Sequence, residues 1–184
     1  YHGTAEDIHS FDQGRGGSLT RAADAKEGFF FTSSQRAAEG YAEAAMPQEL
    51  LALRDEFDRL ESLWGDDPEL DRQYREARDA YERALTAYRE TGGGRTVPVY
   101  LNIRNPVVVD FAGASYQGNA GRVEAAIAQA KRDGNDGVIL QNILDPLGPR
   151  ELRETADEYI VFRSEQVKSA TENIGTFDRG NPDF

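Results

Sequence analysis

Hydrophobic and polar positions divide the chain into three stretches with different rhythms. Between residues 47 and 91, Leu53, Phe57, Leu60 and Trp64 recur at spacings of four, three and four. Leu70, Tyr74, Ala77, Tyr81, Leu85 and Tyr88 repeat that rhythm, and Asp, Glu and Arg fill the faces between. This is the period of an amphipathic helix, twice over. Gly65-Asp66-Asp67-Pro68 separates the two runs. Pro68 suits the first turn of the second helix, where its missing N–H costs nothing. So short a connection predicts an antiparallel hairpin. Thr91-Gly92-Gly93-Gly94 ends it and reads as a loose joint.

The flanks are shorter in rhythm. Tyr1-His2-Gly3-Thr4 and Gly28-Phe29-Phe30-Phe31-Thr32 read as strands, and Gly14, Gly16 and Gly17 mark a loop between them. Thr32, Ser33 and Ser34 offer N-caps to a helix running from Gln35 through Ala42. Beyond the hairpin, Val97 to Ile103 alternates, with Val107 to Asp110 as a further strand. A helix over 121–132 presents Val123, Ala126, Ile127 and Ala130. Val138-Ile139-Leu140 is a short buried strand, 142–156 a loop, and Glu158 to Phe162 another strand. Short strands with attached helices and no regular βαβ alternation predict an α+β fold.

The chain has 184 residues, enough for one domain with its own core. It is read as a single domain over 1–184, with the hairpin at 47–92 inserted in it. The net charge of −12 argues against bulk electrostatic capture of nucleic acid or an anionic membrane and leaves only a local basic groove open. No apolar run reaches the ~20 residues of a membrane span. The absence of cysteine excludes disulfides and thiolate chemistry, and His2 and His9 alone leave little for a histidine metal site. Tyr1 at the start and a lone methionine at Met46 suggest a domain cut from a longer chain.

Singly, His2, the three phenylalanines, Tyr41 and Glu158 have bland readings as surface, core, helix and strand residues. Asp66-Asp67 and Asp133/Asp136 are turn and cap residues rather than metal sites, and Gly14-Arg15-Gly16-Gly17 lacks the Lys-Ser/Thr of a phosphate-binding loop. The ordered set says more. Tyr1-His2-Gly3-Thr4, then Gly28 to Thr32 with Ala38 and Tyr41, then Asp157-Glu158-Tyr159-Ile160-Val161-Phe162 resembles the ADP-ribosyltransferase superfamily, in the His-Tyr-Glu branch of diphtheria toxin and the poly(ADP-ribose) polymerases. Phe30 and Tyr41 keep that family's spacing of eleven between two aromatics. Tyr100 to Pro106, Asp136 to Ile139, Gln166 to Ala170 and Asn173 to Phe177 resemble the transferase domains of phage and mobile-element polyvalent proteins. The resemblance covers both flanks and leaves out the hairpin.

The resemblance implies a split antiparallel β core with flanking helices. It also implies an enzyme that cleaves NAD+, its co-substrate, at the nicotinamide–ribose bond and moves ADP-ribose to a macromolecule, as a toxin or effector. No metal is implied. Glu158 would face the ribose and favour the cation that develops there. Tyr41 and Phe30 would sandwich nicotinamide, with Phe31 beside them. Gly3 would let backbone reach the carboxamide, because no Cβ intervenes. His2 would bond a ribose hydroxyl, with Thr4 next to it. Arg15 or Arg21 would pair with the pyrophosphate. Three positions depart from the family: Phe30 replaces a tyrosine, Ala38 replaces a serine whose duty falls to Ser33, Ser34 or backbone, and Ala156 stands where arginine-modifying relatives have Glu or Gln. The expected acceptor is a protein rather than nucleic acid, and the expected state a monomer acting in the cytoplasm of a bacterial or host cell. Two rivals stay open: an NAD+ glycohydrolase, and a degenerate NAD pocket that binds a partner through the hairpin.

Overall fold

The computed structural model describes residues 1–4, 8, 11, 26–63, 67–91, 93–144 and 154–171. The glycine loop with Arg15 and Arg21, His9, Trp64 and the segment from Asn173 lie outside the described residues. In chain order the elements are β1 (His2–Thr4), β2 (Phe29–Thr32), α1 (Gln35–Ala44), α2 (Gln48–Ser62), α3 (Pro68–Glu90), β3 (Arg95–Val97), β4 (Val99–Leu101), β5 (Pro106–Asp110), α4 (Ala120–Asp133), β6 (Gly137–Leu144), β7 (Thr155–Val161) and β8 (Val167–Ser169). The fold is α+β.

Local chemistry sets the helix starts. Ser34 accepts the Ala37 N–H at 3.0 Å and caps α1. Asp67 accepts the Glu69 N–H at 2.9 Å, and Pro68 opens α3 as the sequence predicts. Phe57 of α2 lies between Tyr74 and Tyr81 of α3, with centroids 5.5 and 6.0 Å away. Leu50 and Leu60 of α2 are buried, whereas α3 buries no residue. The joint after α3 is packed, not loose. The Tyr88 ring lies on Gly93, where an added Cβ would come within 2.3 Å of it, and Gly94 follows at φ +65°.

The central sheet has the order β2-β7-β6-β5. β7 runs antiparallel to both neighbours, but β5 and β6 are parallel. The core is therefore mixed rather than wholly antiparallel, because α4 returns the chain across the sheet between β5 and β6. Val123, Ala126, Ile127 and Ala130 of α4 pack on Val138, Leu140, Ile143 and Ile160. The opposite face carries Phe11, Phe29, Phe31, Val161 and Val167, with Val99 and Leu101 against them. Alternation divides the three phenylalanines: Phe29 and Phe31 face this second core and Phe30 faces α4.

Two elements differ from the sequence reading. The alternating run at 97–103 is split by Pro98, which cannot donate to a ladder. β3 pairs with β1, and β4 pairs with β8. The loop expected over 142–156 is shorter at both ends, since β6 runs on to Leu144 and β7 begins at Thr155. Gln166 ties the periphery together. Buried at 2% exposure, it accepts from Phe162 N and Arg163 N and donates to the carbonyls of Asn102 and Asp136.

Candidate active site

A single row of backbone pairs, Tyr1–Thr32–Glu158, links the segments that carry the candidate residues, but it does not put His2 and Glu158 on one face. Tyr1 and Thr32 exchange N–H···O bonds of 2.7 and 2.9 Å, which joins β1 to the edge of the central sheet. Thr32 is opposite Glu158, and Glu158 is opposite Leu140. Tyr1 therefore lies two strand spacings from Glu158, about 10 Å, and His2 is the next residue along β1.

Each side chain has a definite place in this row. Glu158 is 5% exposed. Residues directly opposed in a ladder share a face, so Glu158 lies on the side of Thr32, Phe30 and Ile160. His2 belongs to the other side, with ring centroids 5.2 Å from Phe11 and 5.5 Å from Phe31. Phe31 is 3% exposed and packs in the second core with Phe11, Phe29 and Val161. Thr4 and Thr32 are buried as well.

His2 Nδ1 donates to the Phe30 carbonyl at 3.0 Å, since a carbonyl can only accept. That fixes the tautomer and leaves Nε2 with a lone pair for a hydroxyl donor. Burial lowers the imidazole pKa below its ordinary value, with the Phe30 bond opposing, so the ring is neutral at pH 7.

The structure gives Gly3 a stronger reason than access to a ligand. A Cβ there would lie 2.0 Å from the Ala38 carbonyl oxygen, 2.8 Å from Tyr41 Cβ and 2.9 Å from Ala42 N. The missing side chain lets α1 lie directly on β1 and places Tyr41 beside Gly3. Ala38 is part of the same contact.

Ser33 and Ser34 are engaged in holding β7. Ser33 Oγ accepts from Asp157 N at 3.0 Å, and Ser33 N donates to the Asp157 carbonyl at 2.8 Å. Ser34 Oγ donates to the Glu154 carboxylate. Opposite Asp157, β6 bulges: Leu140 pairs with Glu158 and Ile143 with Ala156, so Gln141 and Asn142 together face one residue. Asn142 takes φ +52° there. Its N–H donates to the Asp157 carboxylate at 2.9 Å and its amide donates to Asp110 at 3.0 Å. The amide of Asn142, then the Ala112 N–H, hold the Asp110 carboxyl below the usual range. Neither Asn142 nor Asp110 stood out in the sequence; the one signal was a Gln-Asn pair inside the apolar run from Val138 to Leu144.

Asp136 serves a turn, accepting from Arg104 N and Asn105 N at 2.7 and 2.8 Å. Among the described residues no cluster of three or more His, Asp and Glu is arranged to hold a metal.

Comparison with known families decides what this arrangement belongs to. The family described as ADP-ribosyltransferase in polyvalent proteins matches residues 70–177, more than half of the chain. The chain belongs to this family. The match runs from within α3 past β8, and takes in Asn142, Asp157 and Glu158. β1, β2 and α1, which carry His2, Phe30 and Tyr41, precede it. No curated protein and no solved structure matches the chain. ADP-ribosyltransferases draw ADP-ribose from NAD+.

Proposed function

We propose that this ADP-ribosyltransferase domain cleaves NAD+ at the nicotinamide–ribose bond and transfers ADP-ribose to a protein, as a toxin or effector. The observation that carries the reading is Glu158: a buried carboxylate inside the family-matched segment, opposite Thr32 and on the face of Phe30. The C1′–N bond breaks and its electron pair goes to nicotinamide, discharging the pyridinium. The anomeric carbon gains oxocarbenium character, which the Glu158 carboxylate favours. An acceptor nucleophile then forms the new bond at C1′ and gives up its proton. Tyr41 and Phe30 supply flat surfaces for nicotinamide; the His2 ring lies on the other side of the sheet with Phe11 and Phe31 and is given no contact with the substrate.

One observation favours a second reading. Phe30 stands where the triad has tyrosine, so stacking is kept and a phenol hydroxyl is lost. A degenerate pocket that binds NAD+ without turnover fits that change. Adenylate-labelled NAD+ in a cell lysate, followed by separation of protein from nucleic acid, tests the proposal. Label on protein is expected. Release of nicotinamide with label left on free ADP-ribose would mean hydrolysis, and no release at all would mean the degenerate pocket.

A further inference from the structure

Asp157 precedes Glu158 and is held on three sides. Its N–H and carbonyl both engage Ser33, at 3.0 and 2.8 Å, at the junction of β2 and α1. Its carboxylate accepts the Asn142 N–H at 2.9 Å from across the β6 bulge. The bulge is braced from behind as well. Phe111 N donates to the Gln141 carbonyl at 2.8 Å, and Gly113 N to the Asn142 carbonyl at 2.7 Å. Asp110 collects the Asn142 amide at 3.0 Å and the Ala112 N–H at 2.8 Å. Two segments thus meet at the residue before Glu158, the β2–α1 junction and the β6 bulge, and the turn after β5 braces the bulge from behind.

An extra residue in a strand costs ladder bonds and, at Asn142, a left-handed backbone. Asn tolerates that conformation better than most residues. Here it also supplies both donors that complete the network. Bulges of this kind re-aim a neighbouring side chain.

We propose that the Asp157–Asn142 bond, backed by Asp110, is a positioning device that fixes Glu158 against the substrate ribose. This rests on the reading of the domain as an NAD+-cleaving enzyme. Asp157 and Asn142 touch no reacting atom; they act through the backbone of Glu158. The substrate would then bind normally in their absence, while the carboxylate would be misplaced at the moment of bond cleavage.

Steady-state nicotinamide release from NAD+ tests this on the whole chain, with folding checked by circular dichroism and melting temperature. Asp157→Ala removes the acceptor, and kcat should fall on the order of 10- to 100-fold with KM for NAD+ little changed. Asp157→Asn keeps an oxygen acceptor for the Asn142 N–H, and should restore most of the rate. Asn142→Gly keeps the left-handed backbone and the N–H but loses the bond to Asp110, and should give an intermediate fall in kcat. A folded Asp157→Ala variant with wild-type kcat overturns the proposal. So does an equal loss in Asp157→Asn, or a loss that appears only in KM or melting temperature. If wild type and Glu158→Gln release nicotinamide equally, the NAD+-cleaving reading itself fails and the positioning role goes with it.

Discussion

At the scale of single residues, Gly3 has the tightest surroundings of the described glycines. A methyl group there would overlap the Ala38 carbonyl oxygen, which belongs to a helix backbone and cannot swing aside. Gly3→Ala should therefore lift α1 off β1 and cost about 1–3 kcal/mol of stability. Chemical denaturation measures this, and an unchanged midpoint would show that α1 is not seated as described. Tyr41 shares that contact. Tyr41→Ala should weaken NAD+ binding by about 1–3 kcal/mol through lost stacking and burial, while Tyr41→Phe should bind almost normally. Calorimetric titration separates the two, and equal losses would put the hydroxyl rather than the ring at the ligand. His2 gives a pH prediction. Its folded pKa lies below the unfolded value of about 6.5, because burial disfavours the imidazolium. Its contribution to stability is therefore full above about pH 6.5 and is lost as pH falls through the lowered folded value. His2→Gln should flatten that part of the stability profile between pH 7 and 5. If the wild-type and variant profiles run parallel, the histidine is not the titrating group.

At the scale of elements, the hairpin and the strands behave differently. The apolar rhythm of 47–91 fixed both helices in advance, down to Asp67 and Pro68 at the start of α3. The rhythm did not show that α3 buries nothing, because half-exposed tyrosines and buried ones have the same spacing. α1 and β3 both lie against β1, so a short connection can replace what lies between them. Replacing residues 49–91 with a Gly/Ser linker should leave a folded domain that binds NAD+, since loop closure adds only ~0.6 kcal/mol per doubling of length. Thermal unfolding and NAD+ titration check this, and an unfolded product would make the hairpin part of the core. The strands were less legible. Pro98 lies inside an alternating pattern and divides it. Gln141-Asn142 looks like the start of a loop because a bulge places polar residues in mid-strand. Gln166 shows what such polar positions contribute. Its four side-chain hydrogen bonds are all to backbone, and Gln166→Leu should cost at least about 1–3 kcal/mol by orphaning buried groups.

At the scale of the whole molecule, the α+β class was readable from short strands with attached helices, and the family from runs inside the matched segment, Tyr100 to Pro106, Asp136 to Ile139 and Asp157 to Phe162. Thr32 pairs with both Tyr1 and Glu158, and so joins pieces of chain that the sequence keeps far apart. The division of faces was not readable. The run Phe29-Phe30-Phe31 gives no sign that its middle member goes with Glu158 while Phe31 enters the core with His2. The central claim is that Glu158 acts on NAD+ after it is bound. The most direct measurement is nicotinamide release by wild type and Glu158→Gln, with NAD+ affinity measured on both. The account predicts a rate lower by ~10²–10³ in the variant with affinity nearly unchanged. Equal rates, or a variant whose only defect is weaker binding, would contradict it.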